Sequence, residues 1–110
     1  MAKQRIYSEY AKDAAILMGK LIKLGRKERK WSEQNLADRA GITRATLQKI
    51  EKGEMSCAVG SVFELATLVG VQLFEQDGVP LAKHIEHTRD KIALLPKRVV
   101  KPNKAVRDDF

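Results

Sequence analysis

The stretch SEQNLADRAGITRATLQKIEKG, residues 32 to 53, decides how this chain folds. Ser32 is of the residue type that caps a helix N-terminus, and Leu36, Ala37 and Ala40 behind it recur at the spacing of one helical face. Gly41 stops that helix after about two turns, because a chain reversing within a few residues needs a positive φ that glycine adopts without strain. Thr43 can cap the next helix, whose inward side is Leu47 and Ile50 and whose stop is Gly53. Ala37 supplies a small residue where two short helices crossing steeply come closest. With Leu36, Ala40, Ile42, Leu47 and Ile50 pointing inward, Arg44, Ala45, Gln48 and Lys49 remain on the outer face of the second helix.

N-terminal to this block, Ala14, Leu17, Met18, Leu21, Ile22 and Leu24 recur at helical spacing, so residues 8 to 30 read as one long amphipathic helix with Ser8 at its cap. Gly19 and Gly25 weaken it locally. The run Arg26, Lys27, Glu28, Arg29, Lys30 closes it with cations at the negative end of its dipole, and Trp31 follows. C-terminal to the block, residues 59 to 70 (VGSVFELATLVG) are apolar on nearly every side, more than a small domain needs to bury. Val59, Val62, Phe63, Ala66, Val69 and, just beyond, Leu73 are therefore the expected dimer interface. Residues 71 to 76 are too short a run for periodicity to choose between helix and strand. Pro80 opens a further helical stretch from about Leu81 to Leu94, ended by Pro96. The expected organisation is a domain over residues 1–76, a helical extension over 77–95 and a flexible basic tail over 96–110.

A length of 110 residues suits one modest core. The net charge of +7 is unevenly spread: residues 1 to 31 carry nine basic and three acidic groups, whereas residues 54 to 80 carry four acidic and no basic ones. Segregated basic charge suits a polyanion such as nucleic acid, since each cation placed on a phosphate releases counterions. The segment without positive charge is expected to face away from it. No apolar run approaches the ~18 residues of a membrane span, and the start MAKQRIYSEY lacks a secretory core, so no membrane association and a cytoplasmic location are expected. The single Cys57 forms no internal disulfide, which fits a reducing compartment.

Arg26, Trp31, Leu36-Ala37, Ala40-Gly41-Ile42-Thr43, Leu47, Ile50-Glu51, Gly53 and Leu68-Val69-Gly70-Val71 together resemble the XRE-type helix-turn-helix regulators, which include phage repressors and many bacterial antitoxins. The resemblance spans about residues 16 to 74. It implies an all-α, compact five-helix bundle of the phage-repressor type, here with a long first helix and an additional C-terminal helix. Its third helix, Thr43 to Lys52, would lie in the major groove of double-stranded operator DNA, bound by a homodimer at a two-fold symmetric site. By position, Arg44, Ala45 and Lys49 would face base edges, with Thr43 and Gln48 at the margin. Ser32, Thr46 and Lys52, with Lys27 and Lys30 nearby, would contact phosphates. The family also pairs the positions of Arg26 and Glu51 across the domain, which implies a partly buried structural ion pair.

One position departs from the family. The second residue of the second helix is usually a phosphate-binding glutamine, and here it is Glu33. Either Glu33 turns back towards the helix dipole and Gln34 takes the phosphate, or the contact is weaker than in relatives; the first is the favoured expectation. The size, the extended start around Ile6-Tyr7-Ser8 and the basic tail ending in Phe110 are similar to HipB-type antitoxins, which implies a HipA-type serine/threonine kinase toxin as partner. A free-standing regulator without a toxin is the alternative.

Other chemistry has little to stand on. His84 and His87, with Cys57 or Glu86, have no second ligand cluster or Cys-x-x-Cys pair to make a metal centre, so neither metal, cofactor nor catalytic residue is expected. Gly41, Gly53, Gly60 and Gly70 read as helix punctuation or small packing residues and not as a phosphate-cradling loop. An RNA-binding module would expose aromatic residues for stacking, yet Trp31 and Phe63 sit where a core wants them.

Overall fold

The computed structural model describes residues 6–74 and 78–97. Five helices and no strand occur among them: α1 (Glu9–Glu28), α2 (Glu33–Ala40), α3 (Arg44–Lys52), α4 (Val59–Leu68) and α5 (Leu81–Ala93). The chain divides into two units, one ending at Leu73 and the other beginning at Phe74. The all-α class and the helix boundaries around residues 32 to 53 agree with the sequence expectation.

Capping explains the boundaries. Ser8, Ser32 and Thr43 each accept a hydrogen bond from the backbone N–H three residues on, at 3.1, 3.0 and 3.1 Å. Each thereby satisfies one of the donors that a helix start leaves free. Gly41 ends α2 at φ 72° and Gly53 ends α3 at φ 85°. α1 ends two residues before the expected Lys30, and Lys30 itself takes the left-handed role at φ 59°. Around it Trp31 N–H bonds to the Arg26 carbonyl and Lys30 N–H to that of Lys27, closing the helix with a non-glycine residue at the reversal.

The first unit buries Ile22 from α1, Leu36 and Ala37 from α2, Leu47 and Ile50 from α3, and Leu65, Ala66 and Val69 from α4 and its end. Met18, Trp31, Ala40 and Ile42 pack around this centre half-buried. α1 packs on α3 and α4, and α2 on the same two. Gly19 has a packing reason that the sequence did not reveal. A Cβ there would come within 2.5 Å of the Ile50 carbonyl oxygen and 2.7 Å of that of Glu51, so the first helix touches the backbone of α3 only because the residue is glycine.

α4 corrects part of the interface expectation. Ala66 and Val69 are 0% and 4% exposed, so this domain's own core consumes them, and they offer no surface to a second copy. Val59 and Phe63 do reach the surface, at 64% and 38% exposure, and Val62 and Leu73 are half-buried. Residues 71–74 are neither helix nor strand, and 75–77 lie outside the described residues.

In the second unit α5 follows Pro80, whose fixed φ suits a helix start, and it stops before Pro96. None of its residues is buried; Ile85 and Ile92 are 56% and 64% exposed. A Lys83–Glu86 pair at 3.5 Å lies along it. The expected flexible tail over 96–110 falls, from residue 98 onward, outside the described residues. No described helix is long and apolar enough to cross a membrane.

Candidate nucleic-acid interface

α2 and α3 carry the residues singled out in the sequence. Thr43, Arg44, Ala45 and Lys49 are exposed, with Thr46 and Gln48 half-buried at the edge of the same face. The frame behind that face is fixed by Leu47 and Ile50, three apart on the opposite side of α3 and buried against the other helices. At the start of α3 the Thr43 hydroxyl donates to Thr46 Oγ1 at 2.9 Å while accepting the Thr46 N–H. The Thr46 hydroxyl proton is thus left to donate elsewhere.

Ser32, Gln34 and Lys52 are exposed, as are Lys27 and Lys30 at the end of α1. Ser32 Oγ accepts from Asn35 N–H, which leaves its own proton available. Gln34 Nε2 donates to Asp38 Oδ1 at 2.8 Å along its own helix. Ser32, Gln34, Asn35, Asp38 and Arg39 line one open surface depression beside the start of α2.

Behind the face lies the charged pair. Arg26 Nε donates to Glu51 Oε2 at 2.8 Å and Nη2 to Oε1 at 3.1 Å, a two-point match between guanidinium and carboxylate. Both side chains are almost sealed, at 8% and 5% exposure. A third guanidinium nitrogen, Nη1, donates to the Trp31 carbonyl at 3.1 Å, so one arginine ties the end of α1, the segment before α2 and the end of α3. The Glu51 hydrogen bond holds the Arg26 guanidinium above its ordinary value, against burial, which opposes the charge.

Glu33 behaves otherwise than the favoured expectation. Its carboxylate does not turn back to the dipole of its own helix. Oε1 crosses to α3 and accepts from both Arg44 Nε and Gln48 Nε2, each at 3.0 Å. A full ion pair and a second hydrogen bond outweigh the partial charge of a short helix's end. The Gln48 hydrogen bond, then that of Arg44, hold the carboxyl below the usual range.

Two arginines acquire roles that sequence reasoning missed. Arg29 Nη1 donates to the Val69 carbonyl at 2.6 Å, capping the C-terminal end of α4 from the end of α1. Arg39 lies 4.0 Å from the centre of the Trp31 ring and Arg29 5.7 Å from it. Trp31 is therefore a half-buried seat for two guanidinium groups, which the packing of α2 against the end of α1 creates. The only available signal was the density of arginine around a lone tryptophan.

No group of three or more histidine, cysteine, aspartate or glutamate side chains is gathered for a metal among the described residues. His84 and His87 lie one turn apart on α5, with the Nε2 of His84 enclosed and without a hydrogen-bond partner.

Comparison with known proteins places the architecture. The helix-turn-helix family profile matches residues 22–76, half of the chain. No curated protein matches it in sequence. Among solved structures, a chain of a HipA–HipB–O2–O3 complex is 22% identical with a TM-score of 0.50, over 70% of this chain and 100% of that one. A HipB variant in complex with an O2 20mer gives the same identity and TM-score over 71% and 100%. At that identity the likeness is one of fold.

Proposed function

The chain belongs to the helix-turn-helix family, of XRE type, and from that membership we propose that it is a sequence-specific transcriptional repressor acting as the antitoxin of a toxin–antitoxin operon. It binds a two-fold symmetric DNA operator as a homodimer in the cytoplasm and engages a HipA-type kinase toxin. It performs no catalysis. The observation that carries the DNA-binding reading is the face of α3: Thr43, Arg44, Ala45 and Lys49 stand exposed on a helix whose other side is locked into the core. Arg44 or Lys49 reads guanine O6 and N7, Gln48 pairs with adenine, and Ala45 meets a thymine methyl. Ser32, Gln34, Thr46 and Lys52 hold phosphates and set the register. For Gln34 this requires exchanging its bond to Asp38 for one to the DNA.

The exposed Val59 and Phe63 and the half-buried Val62 and Leu73 form the proposed dimer surface; the buried Ala66 and Val69 are withdrawn from it. The antitoxin half of the reading is supported by the fold likeness to chains solved with HipA and HipB. Exposed Ile85, Ile92 and Leu95 on and after α5 give a partner apolar surface to cover.

Footprinting on the DNA upstream of the protein's own gene tests the first half. Two protected half-sites related by two-fold symmetry, ~34 Å or a multiple of that apart, are expected. Absence of salt-sensitive protection there and in a genomic selection contradicts it. Co-expression with the products of adjacent genes tests the second half. A stable complex with a kinase-fold protein is expected, whereas a chain that purifies alone from its native host supports a free-standing regulator instead.

A further inference from the structure

We propose that Glu33 sets the base selectivity of α3 by holding Arg44 and Gln48 in fixed orientation while repelling DNA of every sequence. The inference rests on the reading of α3 as the DNA-reading helix. Arg44 and Gln48 are four residues apart and so lie one above the other on one helical face. A single oxygen of Glu33, from the first turn of α2, accepts from both at 3.0 Å. The Arg44 side chain is 58% exposed and Glu33 27%, so the contact anchors a group that would otherwise sample many rotamers in water.

Which nitrogens are used matters. Glu33 takes Arg44 by Nε, and this leaves the two Nη groups, a fork matched to guanine O6 and N7. It takes one proton of the Gln48 amide nitrogen, and this leaves the other proton and Oε1, the pair that adenine N7 and N6 require. Both base-reading ends are thus aimed before DNA arrives.

The anchor itself is set into the frame. Glu33 lines a cleft of about 190 Å³ with Lys23, Gln48, Glu51 and Lys52, and Glu51 there belongs to the buried pair with Arg26. A carboxylate beside incoming phosphates also opposes binding irrespective of sequence. Glu33 therefore has two separable effects: its charge lowers affinity for all DNA, and its acceptor oxygen raises discrimination between sequences.

Two variants of the full chain separate them: Glu33→Gln keeps an acceptor and removes the charge, and Glu33→Ala removes both. Binding is read by fluorescence anisotropy on the duplex that wild-type protein selects from a random library, on its single base-pair variants and on a scrambled duplex. Thermal melts check that each variant is folded. Both variants should bind the scrambled duplex more tightly than wild type. Glu33→Ala should also lose about tenfold in discrimination at one base pair per half-site, the size of a bidentate contact, and Glu33→Gln should keep most of it. Adding Arg44→Ala to Glu33→Ala should remove no further discrimination at that base pair, because the two residues act there as one unit.

Full discrimination in Glu33→Ala overturns the inference, as does a loss of affinity shared equally by all duplexes, which is what a purely structural role produces. Selection of no preferred duplex by the wild type overturns the DNA-reading proposal and this inference with it. A wild-type preference that Glu33→Ala leaves intact overturns this inference alone.

Discussion

At the scale of single residues, two glutamates 18 residues apart in sequence meet opposite fates. Glu51 is sealed against Arg26 with both of its oxygens occupied. Removing either partner leaves the other buried and unpaired, so Arg26→Ala or Glu51→Ala should each lose about 3–5 kcal/mol of stability in urea unfolding. A loss below ~1 kcal/mol, the range of a surface pair, would show that the pair is not sealed in solution. Glu33 is half-buried, and its carboxyl is held low by Gln48 first and Arg44 second. A carboxylate whose folded value lies below its unfolded one contributes stability above the unfolded value, about 4.3, and loses that contribution as pH falls through the folded one. NMR titration should therefore place the Glu33 midpoint below that of an ordinary glutamate, and Gln48→Ala should raise it. A midpoint unmoved by Gln48→Ala contradicts the bridge.

At the scale of helices, what the sequence revealed and what it hid divide along a physical line. Caps were legible because Ser8, Ser32 and Thr43 act on backbone only three residues away. The inward faces of α2 and α3 were legible because periodicity is local too. The direction of Glu33 and the grip of Arg29 on the Val69 carbonyl, 40 residues on, depend on how two helices cross, and spacing along one chain carries no such information. α4 looked over-supplied with apolar residues for the same reason: only the packing of α1 and α2 on it shows that Ala66 and Val69 are already used. Two substitutions test the helix ends and crossings. Lys30→Gly should stabilise the fold by roughly 0.5–1 kcal/mol, since the left-handed turn at φ 59° strains lysine and not glycine. Gly19→Ala should destabilise it by about 1–3 kcal/mol or more, because the new methyl meets backbone carbonyls that have no rotamer to move. Thermal or urea unfolding of each variant decides both, and stabilisation by Gly19→Ala contradicts the α1–α3 contact.

At the scale of the whole molecule, the two ends of α3 and the start of α2 do different work in the proposed complex. Arg44 at the start of α3 is the proposed reader of base edges, and Lys52 at its far end the proposed phosphate contact. The net charge of +7 supplies attraction to any DNA, so affinity alone says little about which face is engaged. Dependence on salt and on sequence, taken together, does. The most direct test is therefore to measure binding of wild type, Arg44→Ala and Lys52→Ala to the selected site and to a scrambled duplex over a series of salt concentrations. The account predicts that Lys52→Ala weakens both duplexes alike and lowers the salt slope by about 1, while Arg44→Ala closes most of the gap between the two duplexes. Identical behaviour of the two variants, or a gap that survives Arg44→Ala, would contradict the placement of α3 as the helix that reads DNA.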